Sequence, residues 1–257
     1  GLAQHMADGA LAGPEGPVAP AVPHLGQHPA QRVAGLGQAP GQAPAVAEAG
    51  RVPQQQAVAR RAVEQAMRDA EKRFGRVDVC VACAGVWPPK PSLLHKQEAS
   101  RVRDVVETNV LGSIWTARAF VAALERTGPS KDGRGASLVF VGSTAGRFGE
   151  RGHAEYAASK SALRGLVASL KNEIVLIDPK ARVNLIEPGW TVTPTIEEYL
   201  ESHGVLETTM RTMSLRQLAA PLDVARAILF LASPTMSRHI SGEVLGVTGG
   251  MEGRVLW

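Results

Sequence analysis

The chain has 257 residues, 44% of them hydrophobic, and a formal net charge of +4. That length fits one ordinary α/β domain, and Lys and Arg residues scattered without interleaved aromatics exclude a nucleic-acid-binding surface. No run approaches the roughly eighteen apolar residues that a membrane span requires, and no basic stretch followed by an apolar one marks a secretory leader, so a soluble, cytoplasmic protein with no membrane partner is expected.

Residues 1–55 contain no Ile, Phe, Tyr or Trp, and prolines stand at 14, 17, 20, 23, 29, 40, 44 and 53. Such a segment cannot bury enough apolar surface to offset its ordering entropy. Prolines at that density also interrupt both helix and central strand. Gly35-Leu36-Gly37 has no apolar strand before it and Pro40 just after it, so it lacks the context of a phosphate loop. The reading is a low-complexity segment over 1–55, disordered or mistranslated, and a folded domain over 56–257. Three origins of the front stay open: a disordered extension, a frame or exon-boundary error in GC-rich coding sequence, and a variant that borrows its missing half from elsewhere.

Residues 57–74 have the spacing of an amphipathic helix, with Val58, Ala62, Met67 and Ala70 near one face and Gly75 as its stop. Val77–Ala82 is a predicted buried strand, followed by a proline-marked loop at Pro88, Pro89 and Pro91. A long helix is predicted over 97–126, a strand over 136–141, a second long helix over 153–177 and a strand over 183–186. Residues 192–220 carry two short helical patterns, in which Met210, Met213 and Leu215 either line an apolar pocket or pack the segment down. A helix over 221–231 and a last strand over 243–247 follow. Strands alternating with helices predict a parallel sheet. The two cysteines, Cys80 and Cys83, lie at the end of the first strand and have no further ligands, so they are read as buried thiols and no metal site is expected.

Chemistry concentrates in the second long helix. Tyr156 and Lys160 are one turn apart on one face, and Ser143 ends the apolar run upstream. A free phenol titrates near 10, and a neighbouring ammonium is expected to pull it toward the working range. With a hydroxyl to hold the substrate oxygen, this set suits proton transfer at a secondary alcohol or ketone. His153 is read as a first-turn surface residue, and Trp190 either borders the substrate or packs.

From about Phe74 onward the chain resembles the single-domain short-chain dehydrogenase/reductases. Val77-Asp78-Val79-Cys80-Val81-Ala82-Cys83-Ala84-Gly85 is similar to that family's fourth strand and Asn-Asn-Ala-Gly turn, with Ala82 and Cys83 in place of the asparagines. Asn109, Ser143, Tyr156 and Lys160 match its catalytic positions, Pro188-Gly189-Trp190-Thr191 its Pro-Gly turn, and Val247-Thr248-Gly249-Gly250 the end of its last strand. The resemblance implies a Rossmann-like doubly wound parallel sheet of the α/β class whose N-terminal strands are missing or disordered. It implies NAD or NADP as cofactor, a small-molecule carbonyl or alcohol substrate, and a homodimer or homotetramer. It also implies roles: Tyr156 as acid/base, Lys160 on the nicotinamide ribose, Ser143 on the substrate oxygen, and Asn109 on a water linked to Lys160. Ala84, Gly85, Pro188, Gly189 and Thr191 would border the cofactor.

The family's Gly-rich turn has no counterpart at the front, so the first strand is expected to form an uncovered apolar edge and the dinucleotide to bind poorly. A second reading is a remnant without turnover that acts only as a dimerising protein. A third, an epimerase or dehydratase of the extended branch, is opposed by the short run after Gly250.

Overall fold

The computed structural model describes residues 51–203 and 205–255. The assignment of 1–55 as low-complexity falls mostly outside these residues, as does the Gly35-Leu36-Gly37 cluster. Helix α1 spans Arg51–Phe74, so its backbone takes in the last residues of that segment, with Pro53 in the first turn, where its missing N–H costs nothing. Gly75 stops it in a left-handed conformation and donates its N–H to Glu71. The packed face differs from the one expected: Met67 meets the core, whereas Val58 is 66% exposed and Ala62 is also exposed. Ion pairs of Glu64 with Arg118 and Glu71 with Arg126 tie the helix to a later one.

Strand β1 spans Val79–Ala82. Helix α2 spans Ala99–Val106 and helix α3 Gly112–Thr127, and between them Glu107–Leu111 forms a π-helical turn. The predicted long helix therefore exists with one widened turn inside it. Strand β2 (Ser137–Val141) leads into the short helix α4 (Ala145–Phe148) and then α5 (Ala154–Glu173). Strand β3 (Arg182–Pro188) is followed by α6 (Pro194–His203), α7 (Leu206–Met210), α8 (Pro221–Ala232) and strand β4 (Val244–Val247). Asp223 caps α8 by accepting the Ala220 N–H at 2.8 Å.

The four strands form one parallel sheet in the order β1-β2-β3-β4. Val79 pairs with Ser137, Ser137 with Arg182, and Leu185 with Val244. Alternation along the strands sends residues to two covered faces. Cys80, Ala82, Leu138, Phe140, Val183 and Leu185 pack with Phe120, Leu124, Leu163 and Val167 of α3 and α5. Val139 and Ile186 face the other way and meet Leu231 of α8. Helices on both faces of a parallel sheet make this a Rossmann-like architecture.

Strand β1 is buried on one side only. Cys80 and Ala82 are covered, while Val79 is 46% and Val81 37% exposed. Among the described residues β1 ends the sheet on one side, so its free edge has no partner, and the face that carries Val79 and Val81 is left open. The expectation of a buried strand is corrected to this half-buried one. No helix of the described residues is long and apolar enough to cross a membrane.

Parallel strands bring their C-terminal ends to one edge, and there β1, β2 and β3 each end in a turn that carries a predicted site residue.

Candidate active site

A cleft of about 880 Å³ opens at that edge, lined by Gly85 after β1, Ser143 after β2, Pro188, Gly189 and Thr191 around the end of β3, and Tyr156 and Lys160 on α5. Ala84 is exposed beside the cleft without lining it, and Asn109 lies wholly buried behind it. The sequence-predicted residues are thus gathered in one place, most of them on the cleft wall.

Ser143 sits in a turn fixed from both sides. The Gly142 N–H donates to Ile186 at 2.7 Å and the Thr144 N–H to Pro188 at 3.0 Å, which joins the turn to the adjacent strand. The Ser143 oxygen accepts the Ala145 N–H at 3.1 Å. Its hydroxyl also meets the Tyr156 phenol. Gly146 lets this turn lie against α5: a Cβ there would come within 2.8 Å of the Lys160 and Ser161 backbone.

Lys160 is 5% exposed, donates from Nζ to the Val141 carbonyl at 2.9 Å, and holds its ammonium 5.8 Å from the centre of the Tyr156 ring. Burial pushes its pKa down, and the nearby Cys83 sulfur only partly restores it. Burial pushes the Tyr156 phenol up, the Ser143 hydroxyl pulls it partly back, and the charge of Glu150 pushes it up again. The expected downward pull of Lys160 on Tyr156 is therefore not what the chain by itself provides. The ammonium is desolvated and lies over the ring, so its effect does not overcome the cost of burying a phenolate.

Asn109 sits in the π-helical turn, and its side chain is fully used. Oδ1 accepts the Val86 N–H at 2.7 Å, while Nδ2 donates to the Val86 carbonyl and to Ser159 Oγ, each at 3.0 Å. It pins the turn after β1 to the helix that carries Tyr156 and Lys160. A Cβ on Gly85 would lie 3.0 Å from Lys160 Nζ and 3.2 Å from Asn109 Oδ1, so only glycine fits comfortably between them.

Several cleft residues carried no sequence signal. Cys83 is exposed and lines the cleft, correcting the expectation of two buried thiols; it lies one residue past β1, where the chain has turned outward, while Cys80 is buried and its thiol pushed up to about 11. Trp87, Phe148 and Glu150 also line the wall. Trp190 lines it too, which settles its place on the cleft side. Met210, Met213 and Leu215 do not: Met213 is buried at 1% exposure, Leu215 is 63% exposed, and none of the three borders the cleft.

His153 is 1% exposed rather than on the surface. Trp87 stacks on it at 4.8 Å, Nε2 lies 2.9 Å from the Pro88 carbonyl, and Nδ1 lies 3.0 Å from Glu150 Oε1, too poorly aligned for a hydrogen bond. Burial lowers its pKa and Arg101 opposes the charged form, but Glu150 and the Pro88 carbonyl outweigh both, and the net shift is upward. A raised folded pKa means that the stabilisation is present below the unfolded value near 6.5 and is lost as pH rises through the folded one. In urea titrations the wild type should therefore exceed His153→Gln in stability most at about pH 5.5 and lose that margin by about pH 8.5. A margin that does not change with pH would contradict this.

Comparison with known proteins is consistent with this geometry. A family model described as enoyl-(acyl carrier protein) reductase matches residues 40–252. A carbonyl reductase family member 4 of Danio rerio is 32% identical over 190 residues, covering 74% of this chain and 72% of that protein. The human 3-oxoacyl-(acyl-carrier-protein) reductase is 30% identical over 190 residues, covering 74% and 73%. Among solved structures, one titled "ElxO with NADP Bound" superposes with a TM-score of 0.66 at 24% identity, covering 74% of this chain and 73% of that one, and shares the fold.

Proposed function

The chain belongs to the short-chain dehydrogenase/reductase family of oxidoreductases, and from that premise we propose that it interconverts a secondary alcohol and a ketone with NAD or NADP, through Ser143, Tyr156 and Lys160. The observation that carries this reading is the meeting of those three side chains in one cleft beneath the Pro188-Gly189 turn. When bound, the nicotinamide dinucleotide supplies or accepts the hydride.

The residues of the cleft fit the nicotinamide-ribose end of such a cofactor. Lys160 offers a buried ammonium at the cleft floor, and the Gly85 backbone approaches closely because no side chain stands there. Pro188, Gly189 and Thr191 form the opposite wall. No Gly-rich strand–turn–helix unit for the pyrophosphate lies among the described residues.

Ser143 donates to the substrate oxygen and holds it next to the Tyr156 hydroxyl. Tyr156 then gives its proton to that oxygen in reduction, or takes it in oxidation. Its raised pKa keeps the phenol protonated at neutral pH, so reduction is the easier direction there, and oxidation rises as the medium becomes alkaline. Lys160 anchors the ribose hydroxyls and feeds the proton back toward the phenol. The reading includes a homodimer or homotetramer formed through α3 and α5, where Ile114, Val121, Leu166 and Leu170 line a groove of about 580 Å³ that charged residues share.

The direct test follows NADH and NADPH absorbance while a panel of ketones is offered to the purified full chain. Consumption that needs both ketone and protein supports the reading. A folded chain that binds the cofactor and turns over no carbonyl compound would favour the non-enzymatic one. Gly85→Ala should lower kcat/KM by about 10- to 100-fold, because its Cβ would crowd Lys160 Nζ away from the position set by its bond to the Val141 carbonyl. An unchanged rate would show that Lys160 does not act from that position.

A further inference from the structure

Four of the chain's six Trp and Tyr residues meet at this cleft. Trp87 and Trp190 line it together with Tyr156, and Tyr199 joins the two indoles: Trp87 meets its ring edge-on at 5.1 Å and Trp190 lies parallel to it at 6.2 Å. His153, buried behind, covers one face of Trp87. The Trp87 indole N–H donates to Glu150 Oε1 at 3.1 Å, which fixes the rotation of the ring. The wall is therefore assembled before any substrate arrives, and its aromatic surface costs little further ordering on binding.

Glu150 gives the same wall a sign. It lines the cleft, and its charge reaches far enough to push up the phenols of both Tyr156 and Tyr199. A carboxylate or phosphate placed beside Trp87 would face that charge, while the cation of the cleft lining, Lys160, lies against the Tyr156 ring. A cation would meet both the carboxylate and indole faces.

We propose that this cleft selects a carbonyl compound whose body is a flat ring system, uncharged or cationic, with Trp87 and Trp190 holding the ring and Glu150 rejecting anionic groups. The proposal rests on the reading of the cleft as a carbonyl-reducing site and names the substrate class of that site. A straight acyl chain gains little from rigid flat walls and loses its own rotor freedom on binding. Offset-stacked or edge-on ring contacts add affinity beyond the area they bury.

The test uses the full chain and reads binding by calorimetry, with and without NADPH. The probes are 1-tetralone, 2-decanone of equal carbon count, 4-acetylbenzoate and the matching trimethylammonium ketone. The bicyclic ketone should bind about tenfold more tightly than the straight chain, and Trp190→Leu should remove most of that preference. The cationic ring should outbind the anionic one, and Glu150→Gln should narrow the gap. Trp87→Leu repeats the first test from the other side of the wall, with circular dichroism to show that it is folded. Equal affinity for the two neutral ketones, or a preference untouched by Trp190→Leu, overturns the proposal. Reduction of both ketones at equal efficiency sinks the proposal and leaves the proposed function standing. Ring-selective binding without reduction does the reverse.

Discussion

Tyr156→Phe should lower kcat for carbonyl reduction by about 10²- to 10⁴-fold, the usual worth of a positioned general acid. The ring that packs between Ser143 and Lys160 stays, and only the hydroxyl that meets Ser143 is lost. Melting temperature should therefore change little, and binding of a ring ketone should survive. In the wild type the raised phenol pKa makes the reductive rate level through neutral pH and lets it fall only as the medium approaches the phenol's own titration, above its ordinary value near 10. Oxidation of the alcohol should run the opposite way, rising with pH. A Phe variant that keeps its rate within about threefold would remove Tyr156 from the proton-transfer step.

Asp178→Ala should cost about 3–5 kcal/mol of folding stability without touching the cleft. Asp178 is 2% exposed and sits at the opposite end of the sheet, just before β3. Its Oδ2 accepts the N–H groups of Ser130 and Ala136, each at 3.1 Å, and its Oδ1 that of Lys180 at 3.3 Å. Arg76, itself nearly buried, lies 3.6 Å away and also reaches Thr127 and Gly128 at the end of α3. One carboxylate thus ties together the entries of β1, β2 and β3. Removing it leaves the buried Ala136 N–H, the half-buried Ser130 N–H and the Lys180 N–H without their acceptor and takes one of Arg76's two carboxylate partners, Asp78 being the other, which is the expensive kind of loss. Urea denaturation measures this directly. A midpoint within about 1 kcal/mol of wild type would mean that water replaces the carboxylate freely.

The two substitutions separate chemistry from architecture, and they also show what the sequence made legible. Tyr156 and Lys160 could be read because helix spacing alone puts them on one face, and Ser143 because it closes an apolar strand. The parallel sheet followed from strands and helices in alternation. Asp178 could not be read, since Ser130, Ala136 and Arg76, the partners that join it to other strands, stand more than forty residues upstream and belong to loops without periodicity. The π-helical turn at Asn109 escaped for another reason: one widened turn leaves the apolar spacing of the flanking helices intact, so the sequence reads as a single long helix over 97–126.

Exposure was the least legible property. His153 reads as a surface residue on a first helical turn, yet the distant Trp87 ring and the Pro88 carbonyl pack against it. Cys83 stands at the end of an apolar run and reads as buried, yet it is exposed just past the last strand residue. Val79 and Val81 look like core residues in a run that is apolar on both faces, but what covers the second face of a strand is decided by other elements. The aromatic wall combines all these effects. Trp87 is about a hundred residues from Trp190 and Tyr199 in the chain, and the three are brought together by the segments after two strands and by α6.

The central claim is that this cleft is a nicotinamide-dependent site built around Lys160. Fluorescence titration of the full chain with NADH and NADPH, run beside Lys160→Ala, tests it most directly. The account predicts saturable binding that the variant weakens by about tenfold or more, or about 1.4 kcal/mol. No saturable binding to a folded chain, or saturable binding that Lys160→Ala leaves untouched, would contradict it.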